Sequence, residues 1–211
     1  MPRPLIKICG LSTADTLEAA IGAGADMIGL VFFPKSPRHV SLSQARVLAD
    51  LARGRAKIVA LTVDADDATL AAIGIEVRPD RLQLHGRETP ERVAAVRKRF
   101  GLPVMKAIGI GSATDLAGAE AFAGSADTLL FDAKPPKDAT RPGGNGHAFD
   151  WTLLQYYGSS FMLSGGLSVG NVREAVQVSG APAVDVSSGV ESSPGVKDPA
   201  LIRAFIAALR A

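Results

Sequence analysis

Short apolar runs and helix-period segments alternate along the whole of this chain, a pattern that few folds accept. The apolar runs are residues 5–9, 26–33, 56–63, 81–84, 103–108, 127–131, 161–163 and 183–186. Helical segments follow at 16–23, 41–52, 66–73, 89–100, 112–122, 149–157, 171–178 and 198–209. The first is expected to open on Ser12 as N-cap, with Asp15 in its first turn. The runs are apolar nearly throughout, as expected of parallel strands covered on both faces. Eight such units in 211 residues predict an α/β fold, a single-domain (β/α)8 TIM barrel spanning residues 1–211. An open doubly wound sheet is the competing arrangement, and it would leave two edge strands to protect. No low-complexity stretch or linker interrupts the chain. The Gly/Pro-rich segment 134–147 is expected to be a functional loop.

Composition removes several classes of function. The 23 Lys and Arg nearly balance the 21 Asp and Glu, and aromatics are 5% of the chain. Neither a nucleic acid nor an anionic membrane surface is implied as a partner. The single cysteine allows no internal disulfide and no multi-cysteine metal site, which suits a reducing, cytoplasmic setting. No apolar run approaches the ~20 residues of a membrane span, and no signal peptide is expected.

In a barrel the chemistry belongs where strands end and the following loops begin. Glycines and small hydroxyls gather after the last three runs. They are Gly143, Gly144 and Gly146, then Ser164, Gly165 and Gly166, then Ser187, Ser188 and Gly189. One such loop makes a tight turn. Three adjacent loops can turn backbone N–H groups into one concavity and hold a phosphate. Cys9 ends the first run and Asp132 follows the sixth, so both face the barrel mouth. A thiol and a carboxyl there suit base and acid work on one small substrate, although a lone cysteine is also an ordinary core residue. Lys7, on the same strand face, is expected to favour the thiolate. Arg38 follows the proline-braced 34–37 and is either a carboxylate receptor or a solvated arginine. His85 reads as a positioned or structural histidine and not a metal ligand. No phosphate-binding GxxxxGK[ST] and no GxGxxG in the dinucleotide context is present.

These residues sit in motifs that resemble those of the phosphoribosylanthranilate isomerases. The motifs are Lys7-Ile8-Cys9-Gly10-Leu11-Ser12, the stretch from Gly29 to Arg38, Leu82-Gln83-Leu84-His85-Gly86 and Phe131-Asp132. They continue through Gly143-Gly144-Asn145-Gly146, Gly165-Gly166-Leu167 and the stretch from Val184 to Glu191. The resemblance covers essentially the whole chain. It implies the third step of tryptophan biosynthesis, in which N-(5-phosphoribosyl)anthranilate rearranges to 1-(2-carboxyphenylamino)-1-deoxyribulose 5-phosphate. By that resemblance Cys9 is the general base, Asp132 the general acid and Arg38 the receptor for the anthranilate carboxylate. Lys7, His85, Gly144, Asn145, Gly165, Gly166, Ser187, Ser188 and Gly189 complete the substrate-binding set. No metal or organic cofactor is implied, the partner is a small phosphorylated substrate, and the chain is expected to act as a monomer or homodimer. Asn145 stands where the family usually has threonine, and its amide can still donate. The related isomerase of histidine biosynthesis has an aspartate where Cys9 stands. A non-catalytic phosphate-binding barrel has no use for both the thiol and the carboxyl.

Overall fold

Eight parallel strands close into a barrel in chain order. They are β1 (Leu5–Cys9), β2 (Met27–Phe32), β3 (Lys57–Thr62), β4 (Arg81–Leu84), β5 (Val104–Ile110), β6 (Thr128–Ala133), β7 (Phe161–Leu163) and β8 (Ala183–Val186). Pairing of β1 with β8 shuts the ring, so the open sheet is excluded. The computed structural model describes residues 3–134, 143–144, 146 and 148–210. The helices are α1 (Ala14–Ala23), α2 (Leu42–Ala52), α3 (Asp67–Glu76), α4 (Pro90–Phe100), α5 (Ala113–Ala119), α6 (Val172–Ser179) and α7 (Pro199–Arg210).

The apolar character of the strands has two causes. Ile6, Ile8, Ile28, Leu30, Ile58, Leu82 and Val184 point outward and are sealed under the helices. Met105, Ala107, Leu130, Met162 and Ala183 point inward and form a separate cluster that fills the barrel. A smaller cluster of Cys9, Val31 and Leu61 caps that interior at the C-terminal end of the strands. Burying each large aliphatic side chain contributes about 1.5–3 kcal/mol, so both faces must be apolar for the ring to close.

The opposite end of the barrel is pinned by one repeated device. Asp26, Asp80 and Asp127 each precede an even-numbered strand and accept the backbone N–H of the strand before it. The donors are Ile6, Ile58 and Val104, each at 2.8 Å. An orphan strand-end donor is thus satisfied by a charge-assisted bond that also sets the register. Arg210 at the end of α7 donates to Asp26 at 2.7 Å and to the Pro4 carbonyl at 2.8 Å, tying the last helix to the first strand.

Several local expectations are corrected. Thr13, not Ser12, caps α1, and its hydroxyl accepts from the Thr16 N–H at 3.3 Å. The helix expected at 149–157 is only a 3-10 turn, Trp151–Leu154. Tyr157 ends it by standing edge-on to Phe131 and Phe161, with centroids 5.0 and 5.8 Å away, and Gly158 follows. The segment 112–122 divides into α5 and a 3-10 turn at Glu120–Phe122. Unforeseen is an antiparallel hairpin after β8, made of β9 (Glu191–Ser193) and β10 (Val196–Lys197). Of the expected loop at 134–147, residues 135–142, 145 and 147 lie outside the described residues.

Candidate active site at the barrel mouth

The C-terminal ends of the strands surround a cleft of about 790 Å³, counting the space at its solvent-open mouth. Cys9, Arg38, His85, Asp132, Gly144, Gly165, Gly166, Ser187 and Ser188 all line it. They come from loops and strand ends separated by up to the length of the chain, and the barrel alone brings them together.

Cys9 ends β1 and is buried. Lys7 is wholly buried below it on the same inward face and donates to Asp185 Oδ1 at 2.9 Å. Burial favours the neutral amine of Lys7, but the Asp185 carboxylate and then Cys9 outweigh it and hold the ammonium firmly protonated. Burial pushes the Cys9 thiol up. Lys7 pulls it back, Asp185 pushes it further up and Lys197 pulls it down, and the thiol ends above its ordinary value. Lys7 therefore favours the thiolate, as expected, but does not overcome desolvation. Lys7 lies beneath the cleft and is not among its described lining residues.

Asp132, near the end of β6, is buried as well. Its Oδ1 accepts the Ala133 N–H at 2.9 Å, and its Oδ2 lies 3.3 Å from His85 Nε2. His85 follows β4, and the Gln83 amide nitrogen meets its Nδ1 at 3.2 Å. An Nδ1 that accepts from Gln83 leaves Nε2 as the nitrogen facing Asp132. Gly143 lies close against this pair. A Cβ there would stand 2.6 Å from Asp132 Oδ2 and 2.8 Å from His85 Cε1.

Arg38 is presented by the segment between β2 and α2 and is 4% exposed. Its Nε and Nη2 bind Glu191 Oε1 and Oε2 at 2.6 and 2.8 Å. It is thus neither a solvated arginine nor an unpaired one. On the far wall, Gly165 and Gly166 hold left-handed conformations, at φ 87° and 65°. Such consecutive turns aim backbone N–H groups into a concavity. Asn171 fixes them, accepting from the Ser168 N–H at 2.8 Å and donating to the Gly166 carbonyl at 2.9 Å.

Gly189 does not line the cleft, because its Cα packs on the Leu167 carbonyl and lets the loops after β7 and β8 touch. Asn145 lies outside the described residues. Four residues around this site had no role assigned from the sequence, although the first three stand in the quoted motifs: Gln83, Asp185, Glu191 and Lys197. A polar residue inside an apolar strand was the available signal for Gln83 and Asp185. Glu191 stood in the last motif without a role, because its partner Arg38 lies 153 residues away, and Lys197 carried no signal although Glu191 is only six residues before it. Among the described residues, no group of three His, Cys, Asp or Glu side chains is arranged to hold a metal ion.

The family model for N-(5'-phosphoribosyl)anthranilate isomerase matches residues 6–208. A curated relative of that name from Rhodopseudomonas palustris strain BisB5 is 62% identical over 209 residues, 98% of this chain and 96% of the relative. A phosphoribosyl anthranilate isomerase solved with reduced 1-(o-carboxyphenylamino)-1-deoxyribulose 5-phosphate superposes with TM-score 0.86 at 31% identity, covering 98% of each chain. A monomer generated from the dimeric Thermotoga maritima enzyme gives 0.85 at 32%, again over 98% of each chain.

Proposed function

Because the chain belongs to the N-(5'-phosphoribosyl)anthranilate isomerase family, we propose that its barrel-mouth cleft performs the family reaction with Cys9 as general base and Asp132 as general acid. The chain is an isomerase of tryptophan biosynthesis, converting N-(5-phosphoribosyl)anthranilate to 1-(2-carboxyphenylamino)-1-deoxyribulose 5-phosphate. Asp132 protonates the ribose ring oxygen, and the ring opens to an iminium at C1. Cys9, as thiolate, takes the proton from C2. The resulting enolamine gains a proton at C1 and loses the one on its C2 hydroxyl, giving the ketose. His85 steers the acid from its place 3.3 Å from Asp132 Oδ2.

One observation carries this reading. A buried thiol and a buried carboxyl line one cleft from β1 and β6, with an arginine on one wall and left-handed glycines on another. The low-dielectric setting suits both roles. It makes the thiolate a strong base, and it strengthens every charge interaction with the substrate. In this reading Arg38 receives the anthranilate carboxylate, and Gly144, Gly165, Gly166, Ser187 and Ser188 receive the phosphate. The acting form is a monomer or a homodimer, as with the dimeric Thermotoga maritima enzyme and the monomer generated from it. No described helix is long and apolar enough to cross a membrane. A free thiol as catalytic base belongs in a reducing cytoplasm. The test is to supply N-(5-phosphoribosyl)anthranilate and follow the decay of its fluorescence. Turnover that vanishes in both Cys9→Ser and Asp132→Asn supports the assignment; undiminished turnover in either one overturns it.

A further inference from the structure

Arg38 presents a puzzle as a carboxylate receptor. Glu191 already holds its Nε and Nη2 edge at 2.6 and 2.8 Å, and a paired arginine and glutamate are together neutral. A neutral pair attracts a second carboxylate only weakly. Behind Glu191 stands a second cation. Lys197 of β10 donates to Glu191 Oε1 at 2.6 Å, and its side chain is 1% exposed. Burying an ammonium is costly unless its charge is matched, yet Arg38 has already matched Glu191. The cluster therefore carries one positive charge in surplus at the cleft wall.

We propose that Lys197 is a positioning and specificity-determining residue: from behind Glu191 it keeps the Arg38–Glu191–Lys197 cluster cationic, so that the outward edge of Arg38 binds the substrate's ring carboxylate. This deepens the assignment of Arg38 made above and rests on it. The surrounding geometry serves the same end. Arg38 Nη1 has no partner among the described residues, and its Nη2 reaches toward the Gly144 carbonyl at 3.5 Å. Its stem lies across Gly10, where a Cβ would stand 2.6 Å from Cδ. The tip of the β9–β10 hairpin closes on the same segment, since a Cβ on Gly195 would stand 2.6 Å from the Pro37 carbonyl. Lys197 is itself anchored by the Ser187 carbonyl at 2.9 Å and the Ser187 hydroxyl at 3.1 Å. The hairpin is thus a clamp that presents one edge of a guanidinium and supplies its net charge.

Lys197 also gives the clamp a pH dependence. The charged and titratable groups facing it are Glu191 on β9, Arg38 after β2 and Cys9 at the end of β1. Burial, opposed by Glu191, brings Lys197 down to about 8. The surplus charge is then present at neutral pH and lost as pH rises through that value.

The experiment measures binding of two reduced product analogues, one with the ring carboxylate and one without, both keeping the phosphate. The readout is the ratio of their affinities, so a general loss of structure or of phosphate binding cancels. Lys197→Met is expected to lower the preference for the carboxylated analogue roughly tenfold or more. A preference that Arg38→Ala abolishes and Lys197→Met leaves intact overturns the role of Lys197 alone. A preference that survives Arg38→Ala overturns the reading of Arg38, and this inference with it. If Lys197→Met does not fold, the ratio is followed from pH 7 to 9 in Cys9→Ser, which removes the thiol as a titrating group. A roughly tenfold fall there supports the proposal, and a flat ratio overturns it.

Discussion

Lys7 and Asp185 are register partners on β1 and β8, and their side chains meet inside the barrel at 2.9 Å, just below the Cys9 thiol. The pair sits at the seam where the ring closes. It holds a fixed positive charge against the thiol from below, while its carboxylate limits how far the thiol is lowered. Cys9 is the only cysteine, so its ionisation can be read without interference.

Lys7→Met leaves Asp185 buried without its cation and removes the group that most lowers the thiol. We expect a loss of about 3–5 kcal/mol in unfolding free energy. We also expect alkylation of Cys9 by iodoacetamide to need a higher pH. In Asp185→Asn the carboxylate that pushes the thiol up is gone, so the alkylation midpoint should move to lower pH. A midpoint that moves the same way in both variants contradicts this account.

Cys9→Ser and Asp132→Asn are expected to lower kcat by at least the ~10²-fold owed to a general base or acid. Both should leave the circular dichroism spectrum unchanged, since each substitution is close in volume. Arg38→Ala should instead act chiefly on KM, and equal losses in kcat and KM would point to a general distortion of the cleft.

Gly143→Ala places a methyl group 2.6 Å from Asp132 Oδ2 and within 2.9 Å of both His85 Cε1 and Nε2. The acid and its histidine must then part, or the loop must withdraw. We expect kcat to fall about tenfold or more with little change in Tm, because the glycine lies in a loop and not in the core. An enzyme with normal kcat would show that the Asp132–His85 contact is not needed for turnover.

Asp26 anchors the opposite end. Burial raises its carboxyl, but the Ile6 N–H and the guanidinium groups of Arg210 and Arg3 outweigh that and hold it below 3.8. A carboxyl lowered in the folded state stabilises above its unfolded pKa, and the contribution is lost as pH falls through the folded value. Stability of the natural protein should therefore decline below about pH 4, and the decline should be shallower in Asp26→Ala. That variant also leaves the Ile6 N–H without its acceptor and should cost about 1–3 kcal/mol at neutral pH, read from the urea midpoint.

Sequence reasoning reached the fold because each unit of it is local. A continuous apolar run ends at a turn and a capped helix follows, and repeating that unit leaves closure as the way to hide every edge. Cys9 and Asp132 were legible for the same reason, since a residue at the end of a strand in a barrel faces the mouth. The helix at 149–157 misled because its pattern was helical, whereas Tyr157 found two aromatic rings that no local pattern records. Charge pairing was hidden more deeply. Lys7 meets Asp185 across 178 residues and Arg38 meets Glu191 across 153, so neither partner leaves a trace near the other. The direction of the Cys9 shift was likewise a property of the closed ring. A lysine nearby in sequence argues for a thiolate, but burial by all the surrounding strands outweighs it. Local pattern placed the thiol at the barrel mouth; its proton affinity depends on the water that the assembled barrel excludes and on an aspartate brought alongside by its last strand.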